Sequence, residues 1–183
     1  MIGATRFLVK KTREKGIKVI LKHLFLSPLL EVLFKLLPYS PLRIFLLNIL
    51  GARVSYASLV YGIRIMNYDI GSLRNLRVGK NVWLQPGMII DVCDRVVIDD
   101  YASIGPGVVV LTHSKAGNLL DKVFPPKKRP VRIGKHTFIG SNAVIMADVG
   151  DKSVIGPCSV VNKDVPANSI AIGVPARVIR EID

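Results

Sequence analysis

The sequence predicts a mainly β protein, a solenoid of six-residue repeats over residues 51–183 preceded by a basic helical segment over 1–50. Three observations predict it. Aliphatic residues recur every six positions from Val78 onward, 3.6-residue periodicity is confined to the first fifty residues, and only 7% of the chain is aromatic while 50% is apolar. A core of Val, Ile and Leu follows. At 183 residues the chain is one domain's worth, or a domain plus a short extension, too short for two catalytic domains. A mean hydropathy of +0.39 excludes disorder.

Residues 6–50 read as helices. Lys11, Lys15, Lys18 and Lys22 share one helical face, and Ile17, Ile20, Leu21 and Leu24 recur on another, with Gly16 weakening the first half. Ser27-Pro28 and Ser40-Pro41 each place a capping hydroxyl before a proline suited to the first helical position, predicting helices at about 28–37 and 41–50, with Gly51 as a stop. This segment carries nine basic and two acidic residues, so about half of the net charge of +13 lies in the first fifty residues. Lysines interleaved with Leu, Ile and Phe suit an anionic membrane surface better than nucleic acid. The charge-free windows 23–30, 36–42 and 44–52 are far short of the roughly 20 residues a spanning helix needs. No small-residue cleavage site follows a short apolar run, and Cys93 and Cys158 form neither a CxxC pair nor a disulfide framework. A cytoplasmic protein, peripheral at the inner face of the membrane, is the expectation.

From residue 51 a period of six takes over. The in-frame series runs Val78, Leu84, Ile90, then Ile98, Ile104, Val110, then Ile133, Ile139, Ile145, and finally Val149, Ile155, Val161. Each hexad gives a short strand and a turn, three hexads make a triangular coil, and stacked coils bury the aliphatic column. The fifth position is small, as at Ala102, Thr137, Ala143, Ser153 and Ser159. Glycine at the second position is expected to let the chain turn its corners. Residues 114–130 leave the repeat as a loop, the kind of excursion where specificity resides.

The hexads IGPGVV, IGKHTF, IGSNAV and IGPCSV, with the C-terminal run VVNKDVPANSIAIGVPARVIREID, resemble the hexapeptide-repeat acyltransferases with a left-handed parallel β-helix. Within them the chain is most similar to the galactoside/maltose O-acetyltransferase branch and to the O-acetyltransferases of cell-surface polysaccharide synthesis. The resemblance covers about 75–183. It implies a homotrimer that uses acetyl-CoA, no metal, an active site between adjacent subunits, and transfer to a sugar hydroxyl in glycan synthesis. In VVVLTHSKAGN the residue matching the catalytic histidine is His113. The chemistry fits independently, because acylating a hydroxyl needs its proton removed as the thioester carbonyl is attacked, and imidazole suits that task.

The resemblance further implies a backbone N–H around Gly140 and Ser141 for the developing oxyanion, and coenzyme A contacts from Lys163, Arg177 and Arg180, the two arginines reading otherwise as solubilising residues at the solenoid's end. Gln85 stands where this branch often has an acceptor-holding Asn. Lys127, Lys128 and Arg129 read either as contacts to coenzyme A phosphates or an anionic acceptor, or as a solvated basic loop. His136, mid-hexad, reads as a corner residue, and His23 as an interfacial or packing residue of the basic helix.

Two further departures stand out. No acidic counterpart to the family's N-terminal site residue is visible in the basic segment. The step from Ile145 to Val149 is four rather than six, and a six-residue step would turn Asp151 inward. The helices themselves read either as a cap on the open solenoid end or as a membrane contact. The rival functions are a nucleotide-sugar N-acyltransferase on the same fold and a non-catalytic trimeric scaffold. A β-helical zinc carbonic anhydrase fits poorly, since it needs three histidines per metal and this chain has 3 in total.

Overall fold

The computed structural model describes residues 40–68, 70–115 and 120–182, together with Val32 and Leu37. Apart from Val32, which is helical, and Leu37, the helices expected over 6–37, with their lysine face, His23 and the Ser27-Pro28 cap, lie outside the described residues. Each hexad folds as one strand of two or three residues, and successive strands go to the three faces of a triangular prism, giving the expected left-handed parallel β-helix. Face 1 holds Arg53–Val54, Leu76–Val78, Val96–Ile98 and Val131–Ile133. Face 2 holds Leu59–Val60, Trp83–Leu84, Ser103–Ile104, Phe138–Ile139, Val154–Ile155 and Ser169–Gly173, ending in the antiparallel strand Ala176–Glu181. Face 3 holds Arg64–Met66, Ile89–Asp91, Val109–Val110, Val144–Ile145 and Val160–Val161.

Parallel register stacks equivalent residues coil on coil. Val54, Val78, Ile98 and Ile133 form one inward column, Val60, Leu84, Ile104, Ile139 and Ile155 a second, and Ile65, Ile90, Val110, Ile145 and Val161 a third. Every residue of the predicted in-frame series is buried, and burying one such side chain is worth about 1.5–3 kcal/mol. The small fifth positions are buried beside them, and their hydroxyls are satisfied across coils, Thr137 Oγ1 donating to Gly150 O at 3.1 Å and Ser153 Oγ to Pro166 O at 2.8 Å. The first coil, with Val54, Val60 and Ile65, begins well before the clear hexads.

The second-position glycines correct the expectation about corners. Gly79, Gly105, Gly134 and Gly140 are not in the left-handed region. They are glycines because the next coil passes against them: a Cβ at Gly140 would stand 2.5 Å from Pro157 N, and one at Gly105 would stand 2.8 Å from Ser141 N. The left-handed turns fall instead on Asn81, Tyr101, His136, Lys152 and Asn168 at the corner from face 1 to face 2, and on Gly62, Gly87, Gly107, Asn142 and Cys158 at the corner from face 2 to face 3. His136 is such a corner residue, its ring stacked on Tyr101 at 4.8 Å.

The short step also resolves. Val149 is fully buried and bridges both Ile133 and Val165, so it continues the face 1 column across a tight corner, and Val161 to Val165 repeats that corner. Asp151 stays outside, its carboxylate 2.8 Å from Arg132.

A helix runs Ser40–Ile49, close to the predicted 41–50. It stops at Gly51 as expected. Gly51 N–H donates to Asn48 O, Ala52 N–H donates to Leu47 O, and Gly51 has a φ of 104°, which together make a Schellman stop. The boundary expected at residue 50 moves: the compact unit that holds the coils begins at Leu37, because Ile44 and Leu47 are buried and the helix packs on the first two strands. The Ser40 hydroxyl does not cap the helix. It accepts from Val60 N–H at 2.8 Å and so ties the helix to the first coil. Asn48 covers the exposed edge of Arg53–Val54, its amide donating to Val54 O at 2.9 Å and accepting from Val54 N–H at 2.8 Å, as a neighbouring strand would.

Candidate active site

The corner from face 3 to face 1 gathers polar side chains from three successive coils. Asn67 follows Arg64–Met66, Asp91 ends Ile89–Asp91, and Thr112 and His113 follow Val109–Val110. Asp91 is fully buried, and its carboxylate is held by hydrogen bonds from this corner. Asn67 Nδ2 donates to Oδ1 at 2.8 Å and Cys93 N–H to Oδ1 at 3.2 Å, while Thr112 N–H reaches Oδ2 at 3.0 Å. The Thr112 hydroxyl lies 2.9 Å from Oδ2 and 3.0 Å from the Asp91 carbonyl, and accepts from Asp94 N–H at 3.0 Å.

His113 Nδ1 stands 2.6 Å from Asp91 Oδ2. Burial pushes the Asp91 carboxyl up, but the hydrogen bonds from His113, Asn67 and Thr112 outweigh it and hold the group down at about 2. An ionised carboxylate can only accept, so it fixes the proton on Nδ1 and leaves the Nε2 lone pair free. The histidine is 30% exposed, so one nitrogen is anchored inside and the other has access to an incoming group. Cys93 completes a cluster of possible metal donors within 4.8 Å. The Nδ1 to Oδ2 separation, however, is a hydrogen bond's and leaves no room for an ion between those atoms.

His113 lies on the short strand His113–Ser114, paired antiparallel with Lys127–Lys128, so that Lys128 is directly opposite it. The 114–130 excursion therefore leaves and returns beside the histidine. Residues 116–119, near its start, lie outside the described residues. Arg129 is committed to an ion pair with Asp164, and its N–H donates to Thr112 O at 2.8 Å.

The other predicted residues divide between corners. Lys163 follows Val160–Val161 and so shares the corner of His113, two coils further on. Gln85, Gly140 and Ser141 lie at the corner from face 2 to face 3, and a single chain does not bring them to His113. Arg177 and Arg180 are exposed on the terminal strand beside face 2, again away from His113. Gly140 is not a free donor, because its N–H is spent on Ile155 O at 2.8 Å. The Ser141 N–H donates to no carbonyl among the described residues, and a side chain at Gly105 would crowd it, its Cβ standing 2.8 Å from the nitrogen.

Sequence reasoning missed Asp91, Thr112 and Asn67. The available signal was the eight-residue step from Ile90 to Ile98, whose two extra residues let DVC fold inward where a strict hexad would send Asp91 out.

Stacked hexads on three parallel faces define a hexapeptide-repeat β-helix protein. Residues 130–163 match the family described as bacterial transferase hexapeptide (six repeats). The chain is similar to the galactoside O-acetyltransferase of Escherichia coli (strain K12), 39% identical over 112 residues that make up 60% of this chain and 55% of that one. It thus spans a little over half the length of the curated relatives it matches. Among solved structures it is similar to a galactoside acetyltransferase in complex with coenzyme A, at TM-score 0.73 and 28% identity, covering 96% of this chain and 90% of that one. A maltose O-acetyltransferase from Clostridium difficile 630 gives TM-score 0.73 and 25% identity, covering 92% of this chain and 90% of that one. The chain resembles the galactoside and maltose O-acetyltransferase branch of hexapeptide-repeat acyltransferases.

Proposed function

We propose that the protein is an acetyl-CoA-dependent O-acetyltransferase acting on a sugar hydroxyl, with His113 as general base, in the synthesis of cell-surface glycan. The observation that carries this reading is the buried Asp91 carboxylate on His113 Nδ1. Nε2 takes the acceptor's hydroxyl proton as that oxygen attacks the thioester carbonyl. The C–S bond then breaks, and the imidazolium returns the proton to the departing thiolate. No acyl-enzyme forms. The Ser141 N–H is the donor to the oxyanion, Gln85 an acceptor contact, and Lys163, Arg177 and Arg180 cations toward the coenzyme A phosphates.

Because Ser141 and Gln85 stand at a different corner from His113, the reading requires a second copy to complete each site, as in a homotrimer. The outward column of face 2 supports that, since Leu59 and Trp83 are exposed apolar residues on successive coils and Phe138 is a third in the same column, one coil beyond Ser103. On the helix Ser40–Ile49, Leu42, Phe45 and Ile49 are exposed apolar residues at helical spacing, which supports attachment to the inner face of an anionic membrane. No helix among the described residues is long and apolar enough to cross one.

The test is thermal unfolding with and without acetyl-CoA, paired with thiol release over a panel of sugar acceptors. Ligand at about a hundred times its Kd should add roughly 2.7 kcal/mol to stability. A protein that acetyl-CoA neither stabilises nor acylates through would be a scaffold.

A further inference from the structure

Face 1 carries a second feature that this chemistry does not use. Arg53 and Arg77 are directly opposite in register on neighbouring strands, both exposed, and Arg74 and Arg95 flank them where the chain enters Leu76–Val78 and Val96–Ile98. With Gly51 and Val97 they line a groove of about 420 Å³. Like charges placed opposite each other in a sheet repel. Higher in the same outward column, Arg132 is neutralised by Asp99 at 2.6 Å and Asp151 at 2.8 Å. Among the described residues no carboxylate pairs with any of the four lower arginines. The nearest acidic neighbour in sequence, Asp94, spends an oxygen on the Arg95 main-chain N–H at 2.7 Å. Gly51 belongs to the arrangement too, since a Cβ there would stand 3.0 Å from Arg74 Cγ, so its bare backbone lets the Arg74 stem lie across the groove floor.

We infer that this groove binds a ligand bearing a diphosphate. Guanidinium forks recognise phosphate oxygens two at a time, and two linked phosphates supply acceptors enough for four forks where one does not. The groove has room for such a group, and its one apolar wall residue, Val97, gives little reason for an apolar occupant. The diphosphate belongs either to a soluble ligand or to a lipid headgroup. The site stands on these arginines alone and does not depend on acetyl transfer.

The experiment is calorimetric titration of inorganic pyrophosphate into the full chain, with coenzyme A at saturation so that any donor diphosphate position is filled. Saturable binding is expected, with orthophosphate at least roughly tenfold weaker. Arg53→Gln/Arg77→Gln should weaken pyrophosphate roughly tenfold or more without lowering the melting temperature, since it relieves like-charge opposition. Should that variant unfold, Arg74→Gln/Arg95→Gln reports on the same groove from outside the paired strands. Lys80→Gln/Lys152→Gln removes the same charge elsewhere and should leave the affinity unchanged. Absence of binding, equal affinity for orthophosphate, or equal weakening by the lysine pair would overturn the inference. Phosphatidylcholine vesicles carrying a polyprenyl diphosphate, against phosphatidylcholine alone, then assign the source. Displacement of pyrophosphate by vesicles points to a headgroup and no displacement to a soluble ligand, and either result supports the site.

Discussion

Asp91 and His113 are 22 residues apart in sequence, yet they occupy the same corner on successive coils and share a 2.6 Å hydrogen bond. One full coil separates them along the chain, so the solenoid's register is what sets the pair. Asp91→Asn tests what the pair does. An asparagine amide can donate to Nδ1, which would move the ring proton to Nε2 and remove the base. The expected outcome is a fall in kcat of about 10²–10⁴ with little change in the KM for acetyl-CoA, measured by steady-state thiol release. An unchanged kcat would contradict the role.

The same carboxylate makes stability depend on acid. Its folded pKa of about 2 lies below the ordinary carboxyl value of 3.8, so its contribution is present in full above about pH 4 and is lost as pH falls toward 2. The difference is on the order of 2 kcal/mol. Urea midpoints of the wild type should fall across that window, and Asp91→Asn should lack this part of the fall. Parallel pH profiles for the two would count against it.

Gly140→Ala isolates the steric reason for the repeat glycines. The new Cβ would meet the backbone of the next coil at 2.5 Å. A loss of about 1–3 kcal/mol or more in unfolding free energy is expected, although alanine is at ease at this φ. A neutral effect would show that the coils are less closely stacked.

The repeat told almost everything about the fold. A strict six-residue spacing of aliphatics fixes strand, turn and inward column at once, which is why each in-frame residue is buried. What escaped was what depends on contacts between coils: the glycines answer to a neighbour, and Ser40 and Asn48 serve the coil they cap. His113 was legible through a motif, whereas Asp91 was not, because its burial comes from the irregular eight-residue corner and from donors supplied by Asn67 and Thr112 in other coils. Gly140 and Ser141 were expected as a pair, and only the coil ladder distinguishes the spent N–H from the open one.

Trp83→Arg/Phe138→Arg places charge on the exposed apolar column of face 2. Neither side chain is buried in the single chain, so the fold should survive while the trimer dissociates, as light scattering would record. Thiol release should drop by about 10²–10³, since each site loses the oxyanion donor of its neighbour. A fully active monomer would refute the shared site.

Leu42→Ser/Phe45→Ser/Ile49→Ser should reduce co-sedimentation of the full chain with anionic vesicles severalfold while leaving the melting temperature within a few degrees, because these residues are exposed. Identical sedimentation of variant and wild type would remove this helix face from the membrane contact.

The most direct measurement is thiol release from acetyl-CoA by wild type and His113→Ala, at an acceptor sugar that the wild type acetylates and with coenzyme A binding checked by thermal shift. Equal stabilisation of both proteins by coenzyme A, with a rate about 10²–10⁴ lower in the variant, is the predicted result. A variant that binds coenzyme A and turns over at the wild-type rate would contradict the assignment of His113 as the base.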